Sequence, residues 1–97
     1  MAKYKVKADK VDLVKKAIAA FVEAVKRYES GTLAYEAFQE DATAFVHFMV
    51  FKNTQAERIH EDASYTHKFA DVLYPNCDKA PIFSDLTLVG SNKISDR

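Results

Sequence analysis

The stretch TLAYEAFQEDATAFVHFMVF, residues 32–51, decides the fold of this chain. Its two halves, Thr32–Gln39 and Ala44–Phe51, are rich in aromatic and β-branched side chains. Residues 40–43 between them supply the polar positions of a tight turn. Runs of this kind on either side of a short polar turn are typical of a β-hairpin. The stretch therefore predicts two antiparallel strands.

The faces of this hairpin follow from its register. If Gln39 pairs with Ala44, Glu36 lies opposite His47, and both hairpin faces are apolar apart from that pair. One helical layer covers one face only, and a large exposed apolar face is rare in a monomer. We therefore expect an isologous homodimer through the second face. The residues expected in its interface are Tyr35, Val46, Phe48 and Val50.

The residues before the hairpin predict a strand and a helix. Residues 4–8 alternate apolar and basic side chains, which places Tyr4 and Val6 in the core. Residues 9–28 carry apolar side chains at steps of three and four, the spacing of an amphipathic helix. Asp9 is the expected N-cap, and Gly31 the expected left-handed stop.

The residues after the hairpin predict two helical segments and a last strand. Thr54 and Glu57 form a capping box, so a helix should begin at residue 53 or 54. A break at residues 62–64 leads to a second segment that reaches about Leu73. Residues 82–89 alternate as a strand, with Asp85 expected near Lys5 or Lys7 on the outer face and Leu86 and Leu88 in the core. The order βαββαβ favours an α+β, ferredoxin-like antiparallel sheet with both helices on one face.

Composition narrows the classes of protein that are compatible with the chain. Its 97 residues predict a single domain over residues 1–97. Fourteen Lys and Arg balance fourteen Asp and Glu, which argues against nucleic acid or an anionic membrane as partner. One cysteine, Cys77, and an N-terminus without an apolar leader segment are typical of a cytoplasmic protein.

Several short motifs resemble the antibiotic biosynthesis monooxygenase (ABM) family. The most specific of them is Gly31-x-x-x-Tyr35, followed by His60 after the third strand. The resemblance implies a dimeric α/β-barrel, in which two ferredoxin-like subunits pack sheet against sheet, and therefore a single ABM-like domain. Departures from the family include Met49, where a Glu is frequent, and Tyr65, where a second histidine is frequent. The motifs that carry the resemblance are residues 29–36, 45–48, 51–53 and 56–60.

Two histidines are the candidate bases of a site between sheet and helices. His47 beside Glu36 has the arrangement that a general base needs, and His60 is the second candidate. A structural Glu–His pair and a buried core histidine are the alternative interpretations. Tyr65 would orient a substrate. The expected apolar and aromatic wall consists of Met49, Phe51, Phe38 and Phe21.

No metal or cofactor is expected. His60 and His67 would lie about 10.5 Å apart along a continuous helix, too far for two ligands of one Zn²⁺. The haem-degrading branch of the family uses a tryptophan, and this chain has none. By resemblance, the expected function is cofactor-independent oxygenation of a phenol-like or quinol-like small molecule. The alternative is a non-catalytic dimeric module. Such a module would bind an aromatic or apolar small molecule or would be a stress-associated protein. An imidazole nitrogen left free in the cavity would favour the enzyme.

Overall fold

The structure is a computed structural model, and it describes residues 1–93. Four strands and three helices alternate in the predicted order, with short 3₁₀ turns at Ala8–Lys10 and Tyr74–Asn76. This confirms the α+β, ferredoxin-like fold. The elements are β1 (Ala2–Lys5), α1 (Val11–Tyr28), β2 (Thr32–Gln39), β3 (Ala44–Phe51), α2 (Thr54–Asp62), α3 (Ser64–Leu73) and β4 (Ile82–Phe83).

The strands form one antiparallel sheet in the order β2-β3-β1-β4. Tyr4 and Val6 face the helices, as the alternation of strand 1 predicts, while Lys3, Lys5 and Lys7 are exposed. The core lies between the sheet and helices α1 and α3, and burial of its apolar surface is the main stabilising contribution. Its buried members are Tyr4, Val6, Val14, Phe21, Val25, Phe45, Phe69 and Leu73.

The hairpin register differs by one residue from the prediction. Gln39 pairs with Phe45 instead of Ala44, so His47 lies opposite Ala37 and not opposite Glu36. The turn explains the difference. The backbone N–H of Glu40 donates a 2.8 Å hydrogen bond to the carbonyl of Ala44, so the loop is the three residues 41–43 where four residues were expected. The Asp41 carboxylate stabilises this loop by accepting hydrogen bonds of 2.9 Å from the backbone N–H groups of residues 43 and 44.

This register reverses the facing of β2 while β3 keeps its predicted facing. Tyr35 lies under the helices with His47, and Glu36 and Phe38 lie on the outer face. The predicted interface was therefore wrong in including Tyr35. The outer face carries partly exposed apolar side chains from both strands. They are Phe38, Val46, Phe48 and Val50.

Three helix boundaries differ from or refine the prediction. Asp9 lies in the 3₁₀ turn, and α1 begins at Val11 without a side-chain cap. Gly31 does not adopt a positive φ, and neither does any other residue of the described range 1–93. A Cβ at Gly31 would lie 2.7 Å from the Cβ of Ala56, so close approach to α2 explains the glycine. Asn53 caps α2 by accepting a 2.8 Å hydrogen bond from the backbone N–H of Ala56.

The predicted break between the helices is confirmed at Ala63, whose backbone is extended. The Oγ1 of Thr66 donates a 2.6 Å hydrogen bond to the carbonyl of His60 and so satisfies the end of α2. The last strand is much shorter than predicted. It covers Ile82–Phe83 only, and Leu86 and Leu88 are exposed instead of buried, because no neighbouring strand continues past residue 83 within the described residues.

None of the helices in residues 1–93 is both long enough and apolar enough to cross a bilayer.

Candidate functional site

A cavity of about 420 Å³ lies between the helix-facing side of the sheet and helices α2 and α3. This volume is in the range of roughly 300–1,000 Å³ that small-molecule sites occupy. Apolar and aromatic side chains line most of it, and three histidines, three tyrosines and the carboxylates of Glu57, Glu61 and Asp85 supply polar atoms. The lining residues on which the site depends are Tyr4, Phe21, Tyr35, His47, Met49, Phe51, His60 and Phe69.

His60 and Glu29 form a buried pair at one side of this cavity. Nδ1 of His60 lies 3.0 Å from both carboxylate oxygens of Glu29, and both residues are buried. A carboxylate that accepts the Nδ1–H fixes the tautomer of the imidazole, so the lone pair is on Nε2. This geometry prepares Nε2 to accept a proton.

Glu29 is held by two further donors. Thr32 Oγ1 donates a 2.6 Å hydrogen bond to Oε1, and Tyr65 donates to Oε2. Burial, followed by the hydrogen bond to Glu29 and its charge, raises the pKa of Tyr65. Three donors thus orient one carboxylate at the end of α1, and they compensate for its burial.

His47 is enclosed by protein hydrogen bonds at both ring nitrogens. Tyr4 Oη lies 2.6 Å from Nε2, and Tyr35 Oη lies 2.8 Å from Nδ1. The residue is 1% exposed. Burial, followed by the nearby His60, lowers the pKa of His47 to about 4. Burial also raises the pKa values of Tyr4 and Tyr35. All three groups are therefore neutral at pH 7.

The two histidines differ in the atom that remains free. Nε2 of His60 makes no hydrogen bond to residues 1–93, and every fully buried polar side-chain atom in that range has a partner. His60 lines the cavity, as does the exposed His67, so Nε2 of His60 is accessible to a ligand. Neither nitrogen of His47 is free in this sense. Of the two histidines predicted for the site, His60 is therefore the one whose imidazole can act as a base.

The structure brings most of the predicted site residues together. His47 and His60 lie on the same side of the sheet, since Tyr35 packs against both rings at centroid distances of 5.6 and 5.3 Å. Phe21, Met49 and Phe51 line the cavity as predicted. Two placements were wrong, because the register shift turns Glu36 and Phe38 to the outer face. Tyr65 contacts Glu29 and does not line the cavity formed by the described residues.

Three polar residues of the site were missed by the sequence analysis. Tyr4 and Tyr35 had been given to the core and to the dimer interface. Glu29 begins the motif 29–36 that carries the family resemblance, but the sequence predicts no role for it in the site. One signal pointed to it: a carboxylate at a helix C-terminus opposes the helix dipole, so its presence needs another reason. Lys26 and Arg27 just before it follow the usual preference.

Metal binding has no support in the described range. Within residues 1–93, no three His, Cys, Asp or Glu side chains are grouped as a metal ion would require. Nδ1 of His60 is hydrogen-bonded to Glu29 and cannot coordinate a metal at the same time, and His67 is exposed. Burial, followed by Asp78, raises the pKa of the Cys77 thiol, which leaves it protonated and a poor ligand.

Comparison with known proteins identifies the class. The family model described as antibiotic biosynthesis monooxygenase matches residues 1–72. The chain therefore belongs to the antibiotic biosynthesis monooxygenase (ABM) family. No curated protein gives a significant sequence match.

Solved structures agree with the fold. A candidate antibiotic biosynthesis monooxygenase from Nitrosomonas europaea is 21% identical, with a TM-score of 0.78 over 89% of this chain and 95% of that one. One from Caulobacter crescentus is 20% identical, with a TM-score of 0.78 over 84% and 78%. One from Bacteroides thetaiotaomicron is 12% identical, with a TM-score of 0.82 over 98% and 91%. At these identities the likeness concerns the fold.

Proposed function

We propose that this protein is a cofactor-independent monooxygenase that oxidises a phenol-like or quinol-like aromatic molecule. The observation that carries the proposal is the free Nε2 of His60, held in position by Glu29 beside a mostly apolar cavity. The competing interpretation, a non-catalytic binding module, expects both histidines to be locked in protein hydrogen bonds. His47 is locked, and His60 is not.

The reaction needs a base, a dry cavity and dioxygen. His60 Nε2 removes the phenolic proton, and Glu29 stabilises the imidazolium that forms. The phenolate ring carbon donates electrons to O₂ and forms a C–O bond. The O–O bond then breaks. One oxygen atom becomes the second carbonyl of a quinone, and the other leaves as water with the two hydrogens that the phenol loses. Phenol and O₂ thus give quinone and water.

The cavity wall suits this chemistry. Phe21, Phe51 and Phe69 offer ring faces and edges for an aromatic ligand, and Met49 adds a flexible thioether. Burial of Glu29 and His60 strengthens their interaction, because apolar surroundings screen it less than water does. Among residues 1–93, the cavity lining includes the carboxylates of Glu57, Glu61 and Asp85 but no Lys or Arg, so a neutral ring is favoured over an anionic one.

A homodimer is part of the proposal. Phe38, Val46, Phe48 and Val50 form a partly exposed apolar outer face on β2 and β3, and a second copy would cover it through a two-fold interface. We further propose that residues 1–97 form a single domain and that the protein acts in the cytoplasm, as its single cysteine suggests.

Oxygen uptake with a panel of phenols and hydroquinones tests the proposal. Glu29→Gln keeps the shape of the side chain but removes the charge that stabilises the imidazolium, and His60→Gln removes the base. We expect uptake to fall at least tenfold in both variants, since general-base catalysis contributes roughly 10²–10⁴-fold. Glu23→Gln, the same change at an exposed position of α1, is the matched control. Uptake equal to wild type in His60→Gln would contradict the proposal.

A further inference from the structure

His47 joins two tyrosines from neighbouring strands into one hydrogen-bonded chain that the base His60 does not use. Tyr4 on β1 contacts its Nε2, and Tyr35 on β2 contacts its Nδ1. All three side chains line the same cavity as His60. The question that this chain raises is where its protons lie.

One tyrosine hydroxyl proton has no acceptor within this hydrogen-bonded chain. A neutral imidazole has one N–H and one lone pair, so one tyrosine donates to His47 and the other accepts from it. The tyrosine that accepts keeps its own O–H proton for another partner. That partner has to lie outside the chain of three residues, because both nitrogens of His47 are then occupied.

Burial decides which tyrosine accepts. Tyr4 is 6% exposed, and its hydroxyl has no partner besides His47 in the described part of the chain. If Tyr4 accepted, its own proton would be buried without a partner, which is unfavourable. Tyr35 is half-buried, and its contact with His47 is only part-buried, whereas that of Tyr4 is buried. The Tyr35 ring packs 5.3 Å from the ring of His60 in the cavity wall. A proton on Tyr35 can therefore meet a ligand.

We propose that Tyr4 holds His47 as the Nδ1–H tautomer, so that Tyr35 accepts from His47 and offers its own O–H proton to an oxygen atom of the ligand. This deepens the proposed function, on which it rests, by naming the group that the site recognises. A phenol oxygen would accept from Tyr35 while it donates to His60 Nε2. After proton transfer, the same hydroxyl of Tyr35 stabilises the phenolate.

The three residues then have different roles. Tyr35 contacts the ligand oxygen, whereas Tyr4 and His47 are positioning residues that act through it. The ligand class that fits is an aromatic molecule with one oxygen able to accept a hydrogen bond, namely a phenol, a phenolate or a quinone. An aromatic hydrocarbon of the same shape leaves the Tyr35 proton unpaired and should bind more weakly.

The tautomer is measured directly by ¹⁵N NMR of the histidine rings in the ligand-free protein. We expect His47 to show a protonated Nδ1 and an unprotonated Nε2. Tyr4→Phe should weaken this preference, because it removes the donor to Nε2. A wild-type spectrum with the proton on Nε2 of His47 would overturn the inference, and this readout is independent of any turnover.

Ligand recognition is measured under anaerobic conditions with 1-naphthol and with 1-methylnaphthalene, which has similar shape but no hydroxyl. The wild-type protein should bind 1-naphthol more tightly. Tyr35→Phe should weaken 1-naphthol binding at least fivefold and change 1-methylnaphthalene binding less than twofold. Tyr28→Phe, at a position 66% exposed, is the control expected to match wild type.

Equal affinity of the wild type for the two probes, or an equal loss of both in Tyr35→Phe, would overturn the inference. The anaerobic assay also separates it from the proposed oxygenation. If Tyr35 discriminates between the probes but no phenol supports oxygen uptake, the monooxygenase proposal fails and the recognition site stands. If uptake depends on His60 but Tyr35→Phe binds both probes as wild type does, the oxygenation stands and the recognition site fails.

Discussion

Nδ1 of His60 is equidistant from the two carboxylate oxygens of Glu29, at 3.0 Å from each. This contact joins the C-terminal end of α1 to α2 across 31 positions of the sequence. Within residues 1–93 it is the one contact of 4 Å or less between an acidic and a basic side chain, and both side chains are buried. The position of α1, which Glu29 follows, therefore determines the orientation of His60, the proposed base.

The stability of this pair gives a first prediction. Glu29→Ala removes the acceptor shared by His60, Thr32 and Tyr65, and it leaves the buried His60 and the two partly buried hydroxyls without this partner. We expect a loss of about 3 kcal/mol in the free energy of unfolding, measured by urea denaturation. Glu23→Ala on the exposed side of α1 should change it by less than about 0.5 kcal/mol. Equal effects of the two substitutions would contradict this account of Glu29.

The buried His47 predicts a pH dependence of stability. Its pKa is about 4 in the folded protein, against 6.5 for an exposed histidine, so the unfolded chain binds the proton more readily. Its contribution is complete above pH 6.5 and is lost as the pH falls from 6.5 towards 4. The full loss is about 3 kcal/mol. The groups that face the ring are Tyr4 from β1, Tyr35 from β2 and His60 from α2.

The control for this prediction is His47→Gln. A glutamine amide keeps one donor and one acceptor for the two tyrosines but does not titrate. The free energy of unfolding of this variant should fall less steeply than that of wild type between pH 6.5 and 4. Parallel curves for the two proteins over this range would show that His47 is not the residue that titrates.

The hairpin shows what the sequence could predict and what it could not. Both strands, their bounds and the facing of β3 follow from the spacing of their side chains. The facing of β2 depends on the turn, which is one residue shorter than expected and is stabilised by the Asp41 carboxylate. A change of one residue in register moves every side chain of a strand to the other face. Glu36 was therefore assigned to the site, and Tyr35 was assigned to the interface.

The partners of the site residues were harder to predict than the residues themselves. The motif that resembles the ABM family predicts His60 as a site residue. Glu29 lies on another helix, and its contact depends on how closely the two elements approach. Tyr4 was predicted to be in the core, and its contact with His47 depends on the pairing of β1 with β3, in which Ala2 lies opposite His47. Contacts between distant segments are set by packing, which local patterns do not encode.

The outer face of the sheet gives a prediction about assembly. Phe48 is 37% exposed near the middle of that face, so Phe48→Asp would place a charge in the proposed two-fold interface. Light scattering should return a dimer for the wild type and a monomer of 11.0 kDa for the variant. Ile59→Asp, on an exposed position of α2, is the control that should remain dimeric. A monomeric wild-type protein would contradict the interface.

The close approach of Gly31 to Ala56 gives the last prediction. The backbone conformation at residue 31 does not require glycine, because its φ is not positive. The Cβ of Gly31→Ala would, however, lie 2.7 Å from the Cβ of Ala56. Because α2 carries both Ala56 and His60, the displacement that relieves this clash should also move His60 relative to Glu29. We expect Gly31→Ala to lower the free energy of unfolding by about 1–3 kcal/mol and to lower oxygen uptake.

The double variant Gly31→Ala/Ala56→Gly should recover part of the stability and part of the oxygen uptake. The recovery in stability is reduced by the cost of glycine in a helix, which is about 1 kcal/mol. Gly90→Ala has open space around its Cβ and should change neither quantity. If Gly31→Ala and Gly90→Ala have the same effect, close packing at residue 31 does not hold the two elements together.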